Sequence, residues 1–357
     1  MNDKEMLDLY SDYLISSFGL VTGTGLASLL DGQISHDRVQ RFLAGSRKTS
    51  ADLWTLVKPY VRQVEADDGV LIVDDSISEK PYTDENAIIC WHWDHAKKRT
   101  VKGINFLSCL YHCGEVSLPV GFEIVAKTEY YLDKKDGKEK RRSPVSKNER
   151  YRLLLQQARR NQLKFRYVVN DVWFSAVKNM MFVKHELKRD FIMPIKKNRK
   201  LALSEADKKQ GRYKKLETLE LEAETAIIIY LEGVDFPLQL VKQVFTNEDG
   251  SVGILHLVSS DLSLSYHAMT TIYGKRWNVE AYHKSLKQNA ALQKSPTRTI
   301  TTQTNHLFAS LCAYIKLEML KQKRRTNHFA LKSQLLLRAI TTAFHTLRTL
   351  QPIQFSA

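Results

Sequence analysis

The chain lacks any run approaching the roughly 20 uninterrupted apolar residues that a membrane-spanning helix requires, which excludes an integral helical membrane protein. Cysteine is scarce: four residues, Cys90, Cys109, Cys113 and Cys312, in a chain of 357 cannot form a disulfide scaffold and point to free thiols. The first residues are mixed in charge and carry no signal-peptide hydrophobic region, which predicts a cytoplasmic protein. Acidic residues are few beside basic ones. Against 54 Lys and Arg stand 39 Asp and Glu, giving a net charge of +15. Such an excess favours a polyanionic partner, because each neutralised phosphate releases condensed counterions. A membrane surface is the weaker reading, since no strongly amphipathic basic helix stands at a terminus.

What is present is patterned. Residues 1–65 read as helical and contain a helix-turn-helix pattern. There residues 24–30 are apolar on one side, Asp31-Gly32 makes a break, and Ser35 can N-cap a second helix running to Phe42. Arg38, Gln40 and Arg41 form the polar face of that helix, either as a DNA-contacting surface or as part of a plain helical hairpin. From residue 69 the pattern changes. Residues 70–73, Val-Leu-Ile-Val, predict a strand buried on both faces. Further strands are predicted at 102–112, 117–125, 165–169 and 190–195, with helices at 147–161 and 175–188. Three strands, a helix, a strand, a helix and a strand is the order of an α/β ribonuclease-H-like core.

The charged stretch 134–142 reads as a solvated loop, with a disordered basic loop that meets DNA as the alternative, and residues 196–260 as a β-rich insertion. Within the insertion, Lys197 and Arg199 belong to a basic cluster suited to DNA. A long helix is predicted over 266–289, and helices again over 305–349. The resulting organisation is a helical DNA-binding region (1–65), the first part of the core (66–195), the insertion (196–260), a core helix (261–300) and a helical C-terminal region (301–357). Cys90, His92, His95, Cys109, His112 and Cys113 tempt one towards zinc, but strand alternation points Cys109 and His112 to opposite faces, so packing is the better reading.

Carboxylates stand where strands end. Asp74 and Asp75 close the run 70–73, and Asp171 closes 167–170. Acids at the ends of adjacent strands face the crevice where ligands bind and can share divalent cations. A third acid sits on the helix after the insertion. At 100° per residue, Tyr273, Arg276, Glu280 and Lys287 fall within about a sixth of the circumference, while Val279, Tyr282 and Leu286 form an adjacent apolar stripe. Glu280 with Lys284 could be an ordinary i,i+4 pair on a solvated helix. A metal-binding carboxylate beside phosphate-holding cations accounts for all four aligned residues.

Tyr273, Arg276, Glu280 and Lys287 reproduce the Y-x2-R-x3-E-x6-K signature and so resemble bacterial DDE transposases typed by insertion sequence 4. Val73-Asp74-Asp75-Ser76 resembles that family's first-aspartate motif, with Ser in place of Thr, and 169–174 its second. The resemblance implies a metal-binding catalytic triad of Asp75, Asp171 and Glu280. Asp75 is favoured as the acid directly before the Ser, with Asp74 as the alternative. It further implies two Mg²⁺ ions (or Mn²⁺) and double-stranded DNA held by Tyr273, Arg276 and Lys287. Lys284 is a further DNA-contact candidate, and Trp277 is either a stacking surface for an unpaired base or, more commonly for a Trp, a core residue. A homodimer would bring two element ends together, and the reaction would be cut-and-paste strand cleavage and transfer. The competing expectations are a related nuclease without strand transfer and an inactive relative kept as a DNA-binding protein.

Overall fold

The computed structural model describes residues 1–350 except 96, 135, 136 and 248. Helices α1 (Asp3–Ser16), α2 (Gly23–Leu29), α3 (His36–Ala44) and α4 (Ser50–Val64) precede the first strand. Strands β1 (Val70–Glu79), β2 (Ile89–Asp94), β3 (Arg99–Cys113), β4 (Val116–Ile124), β5 (Glu129–Leu132) and β6 (Glu139–Arg142) lead to α5 (Lys147–Arg160). Then come β7 (Tyr167–Asn170), α6 (Val177–Met181), β8 (Asp190–Pro194), β9 (Lys200–Ala202), α7 (Glu205–Lys209) and β10 (Lys214–Lys215). β11 (Ala226–Leu231), β12 (Leu238–Thr246) and β13 (Val252–Ser259) precede α8 (Tyr266–Gly274), α9 (Asn278–Gln288), α10 (Ile300–Arg324) and α11 (His328–Leu350).

The chain divides into two units. One comprises Ser50–Ile77 and Ala87–Ala281, and the other Met1–Thr49, Ser78–Asn86 and the chain from Tyr282 onward. The first unit is built on a mixed sheet in the order β10-β9-β11-β12-β13-β8-β7-β1-β3-β2, with β4 on β3. Its centre is parallel: Val70 to Val73 pair in register with Tyr167 to Asn170, and β7 pairs in parallel with β8. Val70 to Val73, Val168, Val169 and Phe191 to Met193 are wholly buried, as a central strand covered on both faces demands. Helix α5 starts at an N-cap Ser146 with a capping box to Glu149, and buries Tyr151, Leu154 and Leu155.

The second unit is helical. Its α10 buries an unbroken run from Gln303 to Ile315, so it is enclosed on all sides rather than amphipathic. Ser35 caps α3 by accepting from the Arg38 N–H, and α3 buries Val39 and Leu43 while Arg41 stays exposed. Among the described residues no helix is long and apolar enough to cross a membrane.

Three expectations change. The stretch 134–142 is not simply a loop: Glu139–Arg142 is β6, which pairs antiparallel with β5 in a separate two-stranded sheet. Residues 135 and 136 of that stretch lie outside the described residues. The helix expected over 266–289 is broken by a 3₁₀ turn at Lys275–Trp277, directly after Gly274, a residue with low helix propensity. Strand β2 was missed because its exposed alternating positions are Trp91 and Trp93, so burial alternates where hydropathy does not.

Candidate active site

The central strands decide which carboxylates meet. Successive side chains on a strand point to opposite faces, so Asp74 and Asp75 cannot share a side of the sheet. Asp75 lies two residues after Val73 and so on the same face; Val73 pairs with Asn170, whose Oδ1 accepts from the Tyr151 hydroxyl of α5 at 2.8 Å. On this α5 face Asp75 is already occupied. Its Oδ2 accepts from Lys147 Nζ at 2.8 Å and from Asn105 Nδ2 at 2.6 Å. His92 is on this side as well; burial, with the charges of Lys127 and Lys147, lowers it to about 3.

Asp74 faces the other way, one residue past the Val73–Asn170 pair, as Asp171 is on the neighbouring strand. Burial, the adjacent Asp75 and the charge of Glu280 push Asp74 up to about 7, against the opposing pull of the Asp75 N–H and Arg276. Arg276 Nη1 lies 3.6 Å from Glu280 Oε1. The same 3₁₀ turn that breaks the helix carries Arg276, which is 9% exposed, whereas Glu280 at the start of α9 is open to solvent. Tyr273 completes the group. Burial raises its hydroxyl to about 12, and it senses Arg276, Asp171 and Asp74. Asp171 N-caps the short turn Val172–Phe174, accepting from the Val172 N–H.

Asp74, Asp171, Glu280, Arg276 and Tyr273 therefore share one face, with Asp75 behind it. Among the described residues no three His, Cys, Asp or Glu side chains are drawn close enough to hold a metal ion. The donor set nonetheless suits a hard divalent cation, which prefers carboxylate oxygens. Burial first, then the like charges of Asp75 and Glu280, raises Asp74, and a bound cation would offset both.

The remaining residues expected to contact DNA are dispersed. Trp277 is 64% exposed with the Arg276 guanidinium 4.6 Å from its ring centroid. Lys197 is exposed and Arg199 half-buried, in a turn tied by backbone bonds to Leu216 and Glu217. Lys284, Lys287, Arg38 and Arg41 belong to the helical unit, where Lys284 stands over the Phe329 ring at 5.3 Å. Sequence reasoning missed Lys147 and Asn105, which hold Asp75; a buried Asn inside the apolar strand β3 was the available signal. It also missed Trp173, exposed two residues after Asp171, with His95 at 4.9 Å and Lys196 at 4.8 Å from its ring.

A parallel-centred mixed sheet with helical chain ends and carboxylates on adjacent strand ends defines a ribonuclease-H-like, nuclease-type core. The family model described as DDE superfamily endonuclease matches residues 2–217, and the chain belongs to that superfamily. A second model, the transposase DDE domain, matches residues 144–316. No curated protein matches the chain.

Proposed function

We propose that this protein is a cut-and-paste transposase, cleaving double-stranded DNA at the ends of an insertion sequence and joining the freed 3′ ends to a target. The observation that carries the reading is the shared face of Asp74, Asp171 and Glu280, with Arg276 against Glu280. Asp74, Asp171 and Glu280 would hold a pair of Mg²⁺ ions. Bound there, the metal supplies an activated water and charge stabilisation for the leaving 3′ oxygen. Asp74 takes the role of first acid in preference to Asp75, whose oxygen is committed to Lys147 and Asn105.

This chain's other residues position the substrate. Arg276 neutralises Glu280 in the free enzyme and is placed to pass to a phosphate oxygen. Tyr273, kept protonated by burial, donates a hydrogen bond rather than acting as a base. Lys284, Lys287, Lys197, Arg199, Arg38 and Arg41 bind the DNA backbone, and Trp277 offers a stacking surface. Two active sites for two ends call for a homodimer on DNA.

The test is a labelled duplex carrying the element's own end, incubated with Mg²⁺ and a supercoiled target. Nicking at the end followed by labelled target product supports the reading. Cleavage without joining reduces it to a nuclease, and metal-independent binding without cleavage removes the enzymatic assignment.

A further inference from the structure

Resting on the DNA-cutting reading above, we propose that the ribbon β5–β6 is a DNA-docking arm that enters a groove of the duplex beside the cleaved phosphate. An isolated two-stranded hairpin is marginal in water, and most strands exist because one face is buried. This one buries nothing of its own: all four residues of β5 are exposed, as are the ends of β6. Tyr130 and Leu132 are 57% and 69% exposed. Among the described residues the ribbon pairs with no strand of the large sheet. It therefore adds little to the core and is explained by what it meets outside.

Charge selects the occupant. Residues 127–142 hold seven Lys and Arg against four Asp and Glu. Along one face the acids are spent within the ribbon, Asp133 on Lys140 and Glu129 on Arg142 at 2.9 Å. On the other, Arg141 lies over Tyr130 at 4.9 Å, a cation laid flat on an aromatic and able to turn its donors outward. Lys134 and Lys138 sit at the turn between the strands. A basic two-stranded ribbon has the cross-section that the roughly 12 Å major groove admits.

The roots are fixed and close to the site. Arg150, itself 11% exposed, donates to Glu123 at 2.9 Å, before the ribbon, and to Ser143 at 3.3 Å, after it. Lys127 donates to the Trp91 carbonyl at 2.7 Å. Five residues beyond Arg142, Lys147 bonds Asp75, the neighbour of Asp74. The ribbon is thus rooted at the end of β1 that carries both aspartates, on the Asp75 side of the sheet, and a duplex cut at that strand end is what it would meet.

The experiment measures the affinity of full-length protein for the element-end duplex by fluorescence anisotropy, in metal-free buffer across a salt series. Replacing residues 130–141 with a short Gly-Ser turn is expected to weaken binding at least about tenfold. The slope of log K against log salt should fall by about 2, at roughly 0.9 for each phosphate that is no longer neutralised. Lys134→Glu with Lys138→Glu, at exposed turn positions that cannot unfold the core, should move both quantities the same way, and Lys→Arg at both should restore them. Wild-type affinity and slope in both variants would overturn the arm while leaving the DNA reading intact. Failure of wild type itself to bind duplex would overturn both.

Discussion

At the scale of single residues, the two adjacent aspartates have opposite fates for one reason, the two-residue period of a strand. Asp74 lies with Glu280 and Arg276, while Asp75 is held by Lys147 and Asn105. Arg276 is the counter-charge of the acidic face in metal-free protein. Arg276→Ala is expected to destabilise the fold by about 1–3 kcal/mol, and added Mg²⁺ should recover part of the loss by mass action; melting curves with EDTA and with Mg²⁺ check this. His306 gives a pH prediction. It is buried in the helical unit between the Tyr10 hydroxyl at 3.1 Å and the Ala291 and Leu292 carbonyls. Burial first, then Lys80, lowers it to about 3. The folded state thus keeps it neutral while the unfolded chain takes up a proton below about 6.5. Stability should be insensitive to this group above that pH and fall as pH drops towards 3, by at most about 1.4 kcal/mol per unit. The stability–pH slope of His306→Gln should be shallower between pH 6.5 and 5; an unchanged slope would contradict the assignment.

At the scale of elements, legibility followed the strength of each local pattern. The run Val70 to Val73 was readable because a strand buried on both faces must be apolar throughout, and the Ser35 cap because capping chemistry is local. The face of each aspartate was not readable. Motif wording favoured Asp75 with Asp74 as the alternative, and what distinguishes the two is three-dimensional: Lys147 and Asn105 bond Asp75, while Glu280 and Arg276 act on Asp74. Strand β2 and the ribbon hid for a related reason: exposed tryptophans and alternating salt bridges mask the usual hydropathy signal. Close packing at the start of β1 makes a further prediction. A Cβ added at Gly69 would lie 2.5 Å from the Tyr111 hydroxyl, which accepts from the Ala66 N–H at 3.0 Å. Gly69→Ala should therefore cost about 1–3 kcal/mol through overpacking, read as a lower urea midpoint with an unchanged m-value.

At the scale of the whole molecule, the charge of +15 and the acidic face describe one enzyme. On the proposed function, a general cationic field would gather the polyanion and the carboxylates would hold cations where the strand is cut. The superfamily assignment and the transposase domain point to a nuclease-type enzyme. The most direct test is Mg²⁺-dependent single-turnover cleavage of the element-end duplex by wild type, Asp74→Asn and Asp75→Asn, with binding measured alongside. The account predicts that Asp74→Asn binds DNA normally and loses cleavage by about a thousandfold or more, roughly 4 kcal/mol in the barrier, while Asp75→Asn keeps most of its activity. Full cleavage by Asp74→Asn, with the loss falling on Asp75→Asn, would contradict it.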